Sequence, residues 1–235
     1  MADAVRQRSA QIRFDEIRYL AFGRAVPAAL FGLLGYEVLQ NLIGKVRALP
    51  APPGALDIAA GPLPTGLYFL FCSIPVAIYV FRPRPRARDG RLVARAAAFT
   101  GTLMLLVVGA FPNPVLFTPP AAVRLVSTPL TILAFLLALS GLLFLRRNLS
   151  IIPEARRLVT GGPYRVIRHP LYAAEILAAI AVVLASPGLW ATLALLPFVG
   201  VQLTRARFEE RLLSRTFPQY RDYMRRTWRL VPLVW

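Results

Sequence analysis

Arg168, His169 and Tyr172 stand at the start of a long apolar stretch, and Glu209 and Glu210 stand just past its end. His169 is the only histidine in the chain. Taken singly these residues are ordinary: a lone histidine caps or hydrogen-bonds, and two acids among arginines form a solvated, charge-balanced face. Gathered in one pocket they offer more. Carboxylates hold hydroxyls or an ammonium, an arginine holds a carboxylate, and aromatic rings take a sulfonium or a flat base. Upstream, Gly161-Gly162-Pro163 permits a tight turn whose backbone N–H groups can approach a ligand, and Tyr164 follows it. Pro170 suits the first turn of a helix, so Arg168 and His169 fall at that helix's N-terminus.

Such a pocket needs an element that returns the chain to its starting level. Leu171 to Thr204 is too long for one helix and is broken by Ser186-Pro187-Gly188, a turn sequence. We read a helical hairpin, whose two ends meet and set Arg168, His169 and Tyr172 against Glu209 and Glu210. Earlier blocks, Phe22 to Ile43, Leu63 to Phe81, Ala96 to Phe117 and Leu125 to Leu145, each have the length that crosses a hydrocarbon core about 30 Å thick. The expected fold is therefore all-α, a polytopic integral membrane bundle of about six transmembrane helices, with a C-terminal hairpin and an amphipathic cytosolic tail, Tyr220 to Trp235. It divides by character: residues 1–147 are scaffold, and residues 148–235 carry the hairpin and the polar segments around it.

The net charge of +17 would suggest nucleic acid if the arginines shared one face of a soluble fold, but they do not. They cluster at Arg6 to Arg18, Arg82 to Arg95, Arg146 to Arg168 and Arg205 to Arg229, in alternate connections, and only Lys45, Arg47 and Arg124 fall in the other set. That is the positive-inside pattern. It places both termini in the cytosol, in a bacterial-type inner membrane, with membrane lipids and no nucleic acid as partners. No cleavable signal is apparent. Cys72, the single cysteine, precludes an internal disulfide and a cysteine metal site, and no metal is expected. Glu37 reads as an intramembrane acid in need of a partner. The Arg-Pro run of Arg82 to Arg86 reads as an anchor against anionic headgroups. Pro50 to Pro64 reads as a loop with little regular structure. Arg205 and Glu209 can pair along the last helix.

Gly162-Pro163-Tyr164-Arg165, then Arg168-His169-Pro170-Leu171-Tyr172, then Glu209-Glu210 with Leu213, Phe217, Tyr220 and Tyr223 resembles the isoprenylcysteine carboxyl methyltransferase family and its phospholipid methyltransferase relatives. The resemblance covers roughly Asn148 to Pro232. It implies an integral-membrane methyltransferase using S-adenosylmethionine without a Rossmann fold. By motif matching Gly162, Tyr164, His169, Pro170, Tyr172 and Glu209 belong to the cofactor site, and Arg168 and Glu210 either face the substrate or hold the pocket in shape. The family often has glycine where this chain has Ala174, which bears on cofactor fit. Glu175, next to it, reads as an interfacial acid paired with Arg168 or Arg165. The implied acceptor is a small or lipid-like molecule, a carboxylate in the first place, with phospholipid amines and thiols open. Membrane sterol reductases share comparable motifs with a nicotinamide cofactor, and a non-catalytic scaffold or transporter is the reading from another class.

Overall fold

The computed structural model describes residues 16, 17, 19–110 and 112–233, with the side chains of 105, 106, 109 and 110 left aside. Arg6, Arg8, Arg13 and Arg18 of the N-terminal basic run, and Val234 and Trp235 of the tail, lie outside the described residues.

A π-helical turn, Ala21–Ala25, leads into α1 (Val26–Arg47). Then come α2 (Ala55–Ala60), α3 (Pro62–Phe81), α4 (Leu92–Ala110), α5 (Ala121–Leu145), α6 (Pro170–Ala185), α7 (Leu189–Thr216) and α8 (Tyr220–Arg225). The protein is an all-α membrane helical bundle. Ala21–Arg47, Ala55–Phe81, Ala121–Asn148 and Leu189–Thr216 are long and apolar enough to cross a membrane, while Leu92–Met104 and Pro170–Ala185 are shorter apolar helices. The 16 residues of α6 rise about 24 Å, so the first arm of the hairpin sits at the short end for a crossing. Within the stretch expected to be a loop with little regular structure, α2 forms a short helix, because Asp57 accepts from the Gly54 N–H at 2.9 Å and closes its first turn.

In the bundle α1 lies on α3, α3 on α5, α5 on α6, and α4 on α7. The hairpin turn has an anchor that local turn chemistry does not reveal. The Leu116 N–H donates to Pro187 O at 2.9 Å, the Leu189 N–H donates to Pro114 O at 2.9 Å, and Asn113 Oδ1 accepts from the Trp190 N–H at 2.9 Å. Gly188 is needed for this close approach, since a Cβ there would stand 2.2 Å from the Asn113 amide.

At the opposite, arginine-rich end a two-stranded antiparallel ribbon joins β1 (Ala87–Arg88) to β2 (Glu154–Ala155). It brings three arginines to one buried carboxylate: Arg88 Nη2 and Arg156 Nη2 lie 2.6 Å from Glu154, and Arg82 Nη1 lies 3.6 Å away. Arg82 is therefore no lipid anchor. It is 2% exposed and also donates to Leu149 O at 3.0 Å. Burial works against the charge on Glu154, but Arg156, Ser150, Arg82 and Arg88 outweigh it and hold the carboxyl below its ordinary range. A depressed carboxylate contributes stability above its unfolded pKa and loses it as pH falls through the folded value. Thermal melts of Glu154→Gln at neutral pH should show a loss of about 3 kcal/mol. The gap to wild type should narrow as pH drops below about 4, and a gap constant down to pH 2 would overturn the assignment.

Candidate active site

Pro170, which is fully buried, opens α6 with His169 as its N-cap residue. The tail closes over this junction. Beyond α8 it turns back so that the Arg168 N–H donates to Trp228 O at 2.7 Å, the His169 N–H to Arg229 O at 3.1 Å, and the Trp228 N–H to Val166 O at 3.0 Å. These bonds satisfy backbone donors just ahead of α6 and leave the side chains of Arg168 and His169 facing α7.

The hairpin base brings the two acids and the histidine together. His169 Nδ1 lies 3.7 Å from Glu209 Oε2, and His169 Nε2 lies 3.3 Å from Glu210 Oε1. The Tyr172 hydroxyl donates to Glu209 Oε1, and the His169 and Tyr172 rings stack with centroids 5.5 Å apart. The two carboxylates differ in surroundings. Glu210 is buried and receives Arg168 Nε at 2.8 Å and Arg229 Nη2 at 2.7 Å. Arg168 spends further donors on the carbonyls of Met224, at 3.0 Å, and Thr227. Glu209, with 26% of its side chain exposed, faces open space.

That space is a cavity of about 610 Å³. Tyr164, Arg168, His169, Tyr172 and Glu209 line its polar end, together with Arg156 and Arg157. It continues between the helices past Phe71, Phe135, Ala178 and Leu195. Its wall, among the described residues, does not include Gly162, Pro170 or Glu210. Gly162 instead shapes the turn ahead of Tyr164: it has φ +58°, and a Cβ there would stand 2.4 Å from the Phe144 ring. Tyr164 is fixed at its carbonyl by the Tyr223 hydroxyl at 2.6 Å. Burial raises the pKa of both phenols, that of Tyr223 to about 12, so both are neutral donors rather than bases near neutral pH.

One cluster was not legible beforehand. Arg205 does not pair with Glu209 along its own helix but turns inward. Its guanidinium lies 4.7 Å above the Tyr172 ring, its Nη1 donates to Gln202 Oε1 at 2.8 Å, and Glu175 Oε2 is 3.8 Å away. The Gln202 amide donates to Glu175. Glu175 thus pairs across the hairpin rather than with Arg168 or Arg165. The available signal was distance from the turn: Glu175 and Gln202 lie at comparable separations on either side of Pro187 and must meet when the arms close. Ala174, in the position where glycine was expected, is 1% exposed and lines the cavity. Among the described residues no group of at least three His, Cys, Asp or Glu is arranged to hold a metal ion.

Two curated relatives match part of the chain. A nickel-cobalt-cadmium resistance protein of Alcaligenes xylosoxydans xylosoxydans is 36% identical over 75 residues, 32% of this chain and 35% of its own length. A cobalt-zinc-cadmium resistance protein of Cupriavidus metallidurans is 38% identical over 71 residues, 30% of this chain and 33% of its own length. The match thus spans about a third of either relative. At the level of families, residues 123–220, from within α5 to the start of α8 and including the whole hairpin, match the phospholipid methyltransferase family, consistent with the resemblance to isoprenylcysteine carboxyl methyltransferases.

Proposed function

We propose that this protein is an integral-membrane methyltransferase that uses S-adenosylmethionine and methylates a lipid-like acceptor at the cytosolic face. The observation that carries the reading is one continuous cavity whose polar end holds Glu209, His169, Tyr172 and Tyr164 and whose remainder runs between apolar helices. The donor set fits the cofactor. Glu209 is an open carboxylate for hydroxyls or an ammonium, the stacked His169 and Tyr172 rings and Tyr164 offer faces for a sulfonium or a base, and buried nitrogens without hydrogen-bond partners, Arg156 Nη1 and Arg205 Nε, belong to residues of the same wall. When bound, S-adenosylmethionine supplies a methyl group on a cationic sulfur, which passes to the acceptor by in-line displacement.

The side chains then act chiefly by positioning, which can supply a large part of the rate in such a transfer. Arg168 spends its Nε on Glu210 and its Nη1 on the Met224 and Thr227 carbonyls, so we assign Arg168 and Glu210 to holding the pocket in shape. Arg157, and Arg156 and Arg205 through the nitrogens that have no hydrogen-bond partner, are the cations of the wall that can attract an acceptor carboxylate, and exclusion of water strengthens that attraction. An amine acceptor would need a base, and His169 is then the candidate, since Glu210 is already matched by cations.

The test is the purified full chain in lipid nanodiscs. S-adenosylmethionine should raise the melting temperature and NADPH should not, because only a ligand of the native state stabilises it. Membranes given radiolabelled methyl donor should then yield label in a lipid extract only when the active protein is present. A shift with NADPH alone would move the assignment to a reductase, and no shift with either ligand would remove the enzyme reading. Label confined to small thiols would keep the enzyme and discard the lipid acceptor.

A further inference from the structure

The outward face of α1 is polar at a depth where lipid tails are expected. Tyr36, Glu37, Gln40 and Asn41 are all exposed, and the side chains of Glu37, Gln40 and Asn41 have no hydrogen-bond or ion-pair partner among the described residues. Arg24, which donates to Arg82 O at 2.7 Å, and Lys45, which donates to Thr65 Oγ1 at 2.7 Å, mark the two ends of the crossing. They are separated by 21 positions, a rise of about 30 Å. Glu37 stands eight positions inside Lys45, about 12 Å along the axis and well within the hydrocarbon. Polar side chains at that depth are costly unless something meets them.

The same face has a regular seam. Val26, Ala29, Leu33, Tyr36 and Gln40 recur at alternating steps of three and four, and all are exposed. That is the 3.5-residue repeat of two helices wound about each other. It is not the core face of α1, which is buried at Pro27, Gly35 and Val38.

We propose that this seam is the interface with a second copy of the chain, α1 against α1, parallel, about a two-fold axis along the membrane normal. The choice of partner follows from the chemistry. Copies of one chain insert in one orientation, because the arginine asymmetry sets it, so like residues meet at like depth. A carboxamide is both donor and acceptor, and Gln40 is therefore satisfied by the other copy's Gln40. Glu37 flanks the seam one turn from Gln40, so the other copy's Gln40 carboxamide can supply an N–H donor to its carboxyl. A polar residue within an otherwise apolar seam also fixes register and limits the assembly to a defined number of helices.

This inference is independent of the methyl-transfer reading. Full-length protein carrying donor or acceptor dye is reconstituted in phosphatidylcholine vesicles and energy transfer is followed as lipid is added. Wild type should associate, with Gln40→Leu and Glu37→Leu each weakening association about tenfold. In a Cys72→Ala background, Leu33→Cys should cross-link between copies with a short thiol-reactive linker, and Val38→Cys, on the buried face, should not. A chain that stays monomeric at every lipid ratio, or association without cross-linking at Leu33→Cys, would overturn the proposal.

Discussion

Glu209→Ala is expected to weaken S-adenosylmethionine binding by about 100-fold, equivalent to about two charge-assisted hydrogen bonds, while the protein melts where wild type does. The two halves of that expectation come from one asymmetry. Glu209 is the partly exposed member of the acidic pair and makes its hydrogen bond with the Tyr172 hydroxyl, next to the cavity. Its removal deletes ligand contacts and little structure. Glu209→Gln, which still accepts a hydrogen bond but has lost the charge, should fall between. Calorimetric titration in nanodiscs measures both. Unchanged affinity in Glu209→Ala and in His169→Ala would remove these residues from the cofactor site.

Glu210→Ala should behave in the opposite way, unfolding the region rather than emptying it. Its carboxylate is 7% exposed and gathers Arg168, Arg229 and His169, which belong to the segment before α6, to the tail and to the N-cap of α6. Removing one partner of a buried ion pair costs about 3–5 kcal/mol because the remaining charge is stranded. Here more than one cation is left behind, so the upper end applies. The readouts are the melting temperature and limited trypsin digestion, in which the tail beyond Tyr220 should become cleavable while the spanning helices persist. Glu210→Gln should recover part of the loss by accepting hydrogen bonds. If Glu210→Ala melts like wild type with a protected tail, the carboxylate does not hold the tail in place.

Much of the architecture was legible because crossing a membrane constrains composition strongly. Blocks such as Leu125 to Leu145 and the Ser186-Pro187-Gly188 break announce helices and a turn through length and residue type alone, and α5, α6 and α7 stand where those blocks lie. The helix Ala55–Ala60 was missed because a six-residue helix held by one Asp57 side chain has too little periodicity to detect. Arg82 was misread because local sequence shows only an arginine between an apolar block and a proline. Its burial depends on Glu154, which is remote in sequence and reached through the ribbon.

The candidate site divides along the same line. Residue types, spacing around a hairpin and the asymmetry of arginines determined that Arg168, His169, Tyr172, Glu209 and Glu210 would share one end of the bundle, since a short turn leaves antiparallel arms no other arrangement. Only the tertiary structure decided which acid is open and which is enclosed, that Arg205 turns inward to Glu175 and Gln202 instead of along its helix to Glu209, and that the tail folds back over the start of α6. The physical reason is that side-chain direction and ion-pair choice depend on competition among several partners brought together by distant segments. That competition is settled by burial and by the number of donors each carboxylate receives, neither of which is written in local spacing.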